Sequence, residues 1–459
     1  MSEKKNIFFL GIGGIGMSAL ARYFNAKGYK VAGYDRTPSQ LTKELESEGI
    51  PVHYVDDVQQ IPADFRDAAR TQVVYTPAVP QTMGEMKWFL ENGFDVRKRS
   101  VQLGEVTRAE RGLCVSGTHG KTTTSTMLAH LLHNSSIDCN AFLGGISKNY
   151  DKNLLISEKS DLVVIEADEY DHSFLTLSPY MAIITAVDAD HLDIYGTVEA
   201  YRKGFEDFSS LIRPDGVLLM KKGLPIHPRL QEGVRFYTYS IAEGDFHADN
   251  IRIGGGEIVF DFVALGETIK DIQLGVPVYV NIENAVAAMS IAWLNGVKAD
   301  ELRKGIASYR GVKRRFDFHL KTDKIVFLDD YAHHPQEIKS SIDGIRRLYP
   351  DRKLTVVFQP HLYTRTRDLA DDFAAVLSNV DELILLDIYP AREQPIPGIT
   401  SQWLLDKVQT ANKKLMSKDE LVASAATADY DVLMMVGAGD LDLLVPQIKK
   451  TLERRFGLD

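Results

Sequence analysis

Cysteine is almost missing from this chain: Cys114 and Cys139 are its two thiols in 459 residues. Two thiols build no disulfide framework, and these two offer no metal-ligand spacing. No apolar run is long enough to cross a bilayer. The opening "MSEKKNIFFLGIG" has a short apolar stretch but no signal-peptide cleavage site. There is no long basic run either. Lysine and arginine number 53 against 63 aspartates and glutamates, a net charge of −10. That balance argues against broad contact with nucleic-acid phosphates. These absences predict a reduced, cytoplasmic protein with no membrane insertion and no nucleic-acid partner. Small anionic ligands stay open, because glycine loops, helix N-termini and a few placed cations hold them.

What is present is an ordinary globular composition, 44% apolar and 25% charged, in a chain too long for one core. Short apolar strands alternate with amphipathic helical stretches, the pattern of parallel α/β layers. The pattern breaks into three α/β domains: residues 1–107, 108–315 and 316–459. The first runs through "NIFFLG", "KVAGYD" and "QVVYTPAVP". The second runs through "GLCVSG", "DLVVIEAD" and "YMAIITAV", with helices around 200–211 and 284–295. Between about 234 and 274 short alternating strands predict a small antiparallel insertion. The third holds "KIVFLDD", "KLTVVFQP", "DELILLDIYP" and "YDVLMMVGAGD".

Two glycine loops carry the chemistry. Gly11-x-Gly13-x-x-Gly16 follows a strand and opens a helix, and Asp35 closes the next strand. This is the Rossmann-type arrangement for a diphosphate. Its candidate substrate-binding residues are Gly11, Gly13, Gly14, Ile15, Gly16, Met17, Ser18 and Asp35. The motif alone does not distinguish NAD from a nucleotide sugar, so an NAD-dependent oxidoreductase is an alternative. The second loop, Gly117-Thr118-His119-Gly120-Lys121-Thr122-Thr123, lacks the first glycine of the usual P-loop pattern. It still sits between a buried strand and a helix. Its amides can wrap a triphosphate, Lys121 can neutralise the β and γ oxygens, and the Thr122 hydroxyl can ligate Mg²⁺. Glu166 and His191 end two neighbouring strands, and with Thr122 they form a candidate magnesium site. The nearby Asp168, Glu169, Asp171, Asp188 and Asp193 read as solvated loop charges. Two phosphate loops in successive domains favour an ATP-driven enzyme acting on a nucleotide-linked substrate.

Taken in order, "GIGGIGMSALA", "SGTHGKTTT", "IEADEYDHSF", "DHLDIYG", "NIENAVAA", "RRFD", "DDYAHHP", "FQPHLYTRTRDL", "PIPGIT" and "GAGDL" resemble the ATP-dependent Mur ligases of peptidoglycan synthesis along essentially the whole chain. The family's own loop is G-T-H-G-K-T. The resemblance implies a Rossmann-like N-terminal domain, a central ATPase domain and a C-terminal α/β domain. It implies ATP and Mg²⁺ as cofactors and UDP-N-acetylmuramate and L-alanine as substrates, joined through an acyl phosphate. It leaves open a recycling ligase that joins a murein peptide instead, and it leaves the oligomeric state open. Lys121, Glu166, His191, His361 and Arg365 become the catalytic set. Asn281 and Asn284 are expected near adenine, Arg314 or Arg315 at the phosphates, and Asp330 at the ribose. His361 and Arg365 are expected to handle the substrate carboxylate and the amino acid. The chain departs from the family pattern at Val280, where histidine is common, and at Leu362, where arginine is. A carbamylated lysine found in later ligases of the pathway is not expected, because Phe205 takes its place and Lys203 points elsewhere.

Overall fold

A computed structural model of the chain describes residues 5–190, 192–391 and 393–458, the side chains of Leu192 and Asp193 excepted. Its strands form three sheets. The chain divides into two compact units. One is built from residues 1–250, 261–272 and 283–309, the other from 251–260, 273–282 and 310–459.

The first sheet holds β1 (Asn6–Leu10), β2 (Lys30–Tyr34), β3 (Val52–His53), β4 (Thr71–Tyr75) and β5 (Asp95–Lys98) in the order β3-β2-β1-β4-β5. Every residue of β1 is buried, as an interior strand of a parallel sheet with both faces covered must be. It pairs in parallel with β2 and β4. The helix Ile15–Ala26 follows at once and sends Met17, Leu20, Tyr23 and Phe24 into the core.

The second sheet has ten strands: β6 (Arg111–Ser116), β7 (Asn140–Ser147), β8 (Lys152–Leu155), β9 (Leu162–Glu166), β10 (Met181–Ile184), β11 (Val217–Lys221), β12 (Arg235–Tyr239), β13 (Phe246–Gly254), β14 (Glu257–Ala264) and β15 (Glu267–Gln273). Their order is β15-β14-β13-β12-β11-β10-β6-β9-β7-β8. The segment expected as a small antiparallel insertion supplies β12 to β15 at one edge of this sheet. Its first strand, β12, pairs in parallel with β11 over five residues, a long-range match that no local pattern reveals. The turns at Gly255–Gly256 and Leu265–Gly266 have positive φ at both residues, as two-residue antiparallel hairpins require. The helix expected from Asn284 begins earlier, at Tyr279, and ends at Leu294.

The third sheet takes the order β16-β17-β21-β18-β19-β20, from β16 (Asp317–Lys321), β17 (Val326–Asp330), β18 (Leu354–Phe358), β19 (Glu382–Leu385), β20 (Lys413–Leu415) and β21 (Val432–Val436). Only the β16–β17 pairing is antiparallel in this sheet. Among the described residues no helix is long and apolar enough to cross a membrane.

Candidate active site

The second glycine loop leaves the end of β6, which lies between β10 and β9. Open parallel sheets bind ligands at this carboxyl edge. Gly120 has φ +83°, and a Cβ there would lie 2.8 Å from the Asn284 oxygen, so both conformation and space demand glycine. The helix Lys121–His133 starts with no side-chain cap and no acid in its first turn. Its first amides and its positive dipole end are therefore offered to an anion. Thr118 is braced by its amide on the Ala186 carbonyl at 3.0 Å and its hydroxyl on the Asp188 carbonyl at 2.9 Å. His119 is exposed. Thr122 and Thr123 sit half-buried in the first helical turn.

Lys121 does not reach into solvent. Its Nζ donates to the Gly117 carbonyl at 2.8 Å and lies 2.8 Å from each carboxylate oxygen of Glu169. Glu169 is wholly buried, which corrects its reading as a solvated loop charge. Asp171, from the same acidic run, pairs with Lys98 at 3.3 Å. The segment turns at Asp171 and His172, both with left-handed φ, at 50° and 56°.

Glu166 ends β9, in register with Val115 of β6, and so stands beside the strand that feeds the loop. Its carboxylate occupies the space a Cβ on Gly144 would fill, 2.2 Å from Oε2. Glu166 and Asp168 border a cavity of about 220 Å³ whose other wall includes Gly16, Arg99 and Phe142. A carboxylate and the Thr122 hydroxyl next to a phosphate loop are hard oxygen donors of the kind Mg²⁺ takes, so the donor set fits that ion. His191 lies outside the described residues.

At the first loop the amides of Gly11 and Ile12 donate to the Tyr34 carbonyl at 2.8 and 3.0 Å. Gly14 precedes the helix Ile15–Ala26, which also has no side-chain cap and no acid in its first turn. The Ile15 side chain is 45% exposed, while Met17 and Ser18 turn into the core. The Ile15 carbonyl accepts from the Asn153 amide at 2.7 Å. Asp35 Oδ2 accepts from the Gly13 amide at 2.7 Å. Arg99 supplies the cation here: its Nη1 lies 2.6 Å from where a Gly16 Cβ would be.

Of the two asparagines, Asn284 meets the helix that follows the phosphate loop, its Oδ1 accepting from the Thr124 hydroxyl at 3.2 Å. Asn281, one helical turn earlier, is buried and donates to the Val276 carbonyl at 3.2 Å.

The remaining candidates belong to the second unit. Arg314 is committed within its own sheet: its guanidinium donates to the Gly437 and Gly439 carbonyls at 3.2 and 2.8 Å and pairs with Asp442. Arg315 is exposed and stacks over Tyr331 at 5.3 Å, which leaves it the better phosphate candidate of the pair. Asp330 is buried, accepts from the Ser341 hydroxyl and the Phe316 amide, and is pushed upward in pKa by burial. His361 and Arg365 are brought together, with Nη1 to Nδ1 at 3.2 Å, and His361 stacks on Tyr389. Burial first, then Arg365 and His333, lowers the His361 pKa. Since Nδ1 accepts from the arginine, the ring proton sits on Nε2. The pair is therefore a donor set for a carboxylate. Leu362 between them holds φ +72°, a strained value for a branched side chain.

Three domain profiles cover most of the chain. They are described as "Mur ligase family, catalytic domain" at residues 6–111, "Mur ligase middle domain" at 115–292 and "Mur ligase, glutamate ligase domain" at 314–447. The UDP-N-acetylmuramate–L-alanine ligase of Parabacteroides distasonis is 61% identical over 447 residues, 97% of each chain. The crystal structure of the UDP-N-acetylmuramate-alanine ligase of Thermotoga maritima superposes with a TM-score of 0.78 at 25% identity, covering 99% of this chain and 100% of that one. A murein peptide ligase from Psychrobacter arcticus shares the fold, with a TM-score of 0.64 at 22% identity over 97% of this chain and 98% of its own.

Proposed function

The chain belongs to the Mur ligase family, and on that premise we propose that it joins L-alanine to the lactyl carboxylate of UDP-N-acetylmuramate at the expense of ATP. The observation that carries this is the 61% identity to a ligase of that name across 97% of both chains. Both glycine loops and the His361–Arg365 pair fall inside domains that the family profiles match. ATP as the energy source assigns the reaction to the cytoplasm.

A free carboxylate does not form an amide in water, because its oxygen is a poor leaving group. The lactyl carboxylate attacks the γ-phosphorus of ATP, the bond to the β–γ bridging oxygen breaks, and ADP departs. The amine of L-alanine then attacks the acyl carbon. One proton leaves the nitrogen, the acyl carbon–oxygen bond breaks, and phosphate is expelled. The loop amides and Lys121 stabilise charge on the phosphoryl group, so positioning and electrostatics supply the rate. Thr122, Glu166 and His191 would hold Mg²⁺, which supplies further neutralisation of phosphate charge. Arg99 and the first amides of the helix Ile15–Ala26 take the diphosphate of the nucleotide sugar. The cavity bordered by Gly16, Arg99 and Glu166 is the space offered to the rest of that substrate. His361 Nε2–H and Arg365 take the carboxylate of the amino acid, which makes His361 a donor and not the base.

The test is phosphate release from ATP by the purified protein with UDP-N-acetylmuramate. Release is expected with L-alanine and not with a murein tripeptide. The reverse preference would make the chain a recycling ligase.

A further inference from the structure

An ammonium has three N–H donors and no acceptor. On Lys121 all three directions are met by protein oxygens, the Gly117 carbonyl and both oxygens of Glu169, each at 2.8 Å. The two partners are not equally free. The Glu169 side chain has no exposed surface, whereas that of Lys121 is 14% exposed. The Tyr201 hydroxyl faces Glu169 Oε1 at 3.3 Å and the Thr118 hydroxyl at 2.9 Å. The Glu169 carbonyl in turn accepts from the Tyr195 hydroxyl at 2.6 Å. Glu169 is thus held by two buried tyrosines, one facing its carboxylate and one on its backbone carbonyl, and the lysine on its four-carbon stem is the member that can move.

We propose that Glu169 is a positioning residue that competes with the β- and γ-phosphates of the nucleotide for Lys121. A phosphate oxygen gains the lysine only by taking at least one N–H from Glu169 or from the Gly117 carbonyl. The loop then binds its triphosphate more weakly than its own donors would allow. A wholly buried carboxylate does not release its cation freely, since an uncompensated buried charge is strongly unfavourable. The cost falls on nucleotides long enough to contest the lysine, and AMP escapes it. This rests on the reading of the loop as an ATP site.

The experiment is calorimetric titration of the full-length protein with a non-hydrolysable ATP analogue and with AMP, in the wild type, Glu169→Gln and Glu169→Asp. Glutamine removes the charge and keeps the shape. The expected result is an analogue Kd lower by about 10-fold, with AMP binding unchanged, as for loss of one charge-assisted contact. In steady-state assays KM for ATP falls while kcat does not rise. Aspartate keeps the charge but draws it back, and a smaller tightening is expected, roughly 3-fold. Unchanged or weaker analogue binding in a folded Glu169→Gln protein overturns the proposal, as does equal tightening of AMP. If that variant does not fold, Glu169→Asp decides by the same criterion. Failure of the wild type to bind the analogue removes the ATP reading and this proposal together. Wild-type binding with no tightening in either variant removes the proposal alone.

Discussion

The two glycine loops share a backbone plan and differ in their charges. Each leaves an interior strand with a parallel neighbour on either side and opens a helix with no side-chain cap and no acid in its first turn. At the first, a carboxylate holds one of the loop's own amides, Asp35 on Gly13 at 2.7 Å. Its cation, Arg99, is borrowed from the start of another helix, Arg99–Ala109. At the second, the cation is built into the loop as Lys121, and a buried acid, Glu169, is built in against it. The glycines and the helix dipole make either loop an anion site. The surrounding charges decide which anion. A loop with its own lysine and a matched buried acid suits a phosphoryl group on which charge shifts during reaction. A loop with a distant arginine suits a phosphate that is only held.

The largest effect that would break this contrast is at Lys121. Lys121→Ala is expected to lower ligation at least about 10²-fold, the scale for losing a charge stabiliser of the transferring group. It also strands Glu169 in the interior, at a cost of about 3–5 kcal/mol. The buried acid makes Lys121→Ala with Glu169→Gln the cleaner variant. Thermal melts should show the double variant more stable than Lys121→Ala, with both inactive. Near-normal turnover in either would remove the loop from phosphoryl transfer.

Behind the second loop, the helix Lys121–His133 carries His130, buried and bonded to Tyr150 at 2.8 Å and Ser308 at 2.9 Å. Burial drops its pKa from 6.5 to about 4. The unfolded chain therefore binds a proton that the fold refuses. Stability is full above pH 6.5 and drains as pH falls toward 4, by about 2 kcal/mol at pH 5. The helix of the first loop holds no histidine. Urea unfolding at pH 7 and pH 5 should show an acid loss that shrinks by that amount in His130→Gln. Hydrogen exchange should locate the opening at the 121–133 helix before the 15–26 helix. An equal acid loss in the variant would exonerate His130.

A smaller effect is expected at the first loop. Arg99→Ala should weaken UDP-N-acetylmuramate by about 10-fold and leave an ATP analogue within twofold, since the arginine only holds its anion. Gly13→Val is a poorer probe, because its Cβ would meet Asp35 Oδ2 and Thr42 Cγ2 at 2.8 Å and disturb the loop itself. Weakening of ATP alone in Arg99→Ala would reverse the assignment of the two loops.

Much of this was legible in the sequence, because buried parallel strands are written as apolar runs and loops that approach phosphate need glycine at set spacings. What was not legible depended on long-range geometry. In "EADEYD" three acids follow Glu166 within five residues and look alike. Glu169 is set apart by the folded chain, which buries it against Lys121 just before the left-handed turn at Asp171 and His172. Arg314 and Arg315 are chemically identical neighbours. The positive φ of Arg314, at 63°, aims it at Gly437 and Gly439 and leaves Arg315 exposed. Where strands β12 to β15 attach was not legible, because β11, the partner of β12, is met only once the chain is folded.

The smallest expected effect concerns the helix Val198–Ser209, and it asks whether the second loop needs a cation bridge beyond its own lysine. Later ligases of the pathway carry a carbamylated lysine at the place where this chain has Phe205. That phenylalanine has no exposed surface, and its ring packs edge-on against Phe174 and Tyr201 at 5.4 and 5.2 Å. A carbamate there would be an anion driven into an aromatic cluster, with no room and no partner. Lys203 is exposed, and two residues along a helix turn it about 200° from Phe205, away from the face that Tyr201, Phe205 and Phe208 bury. Oxygen donors for the phosphate region are left to Thr122 and Glu166 and to the substrates themselves. Lys203→Ala should keep turnover within about twofold, because a solvated surface lysine rarely matters by more. Removing bicarbonate should leave the rate unchanged. A loss of activity in Lys203→Ala that short carboxylic acids restore would mean that a carbamate serves this loop after all, and that the loop's own lysine and acid are not its full complement of charge.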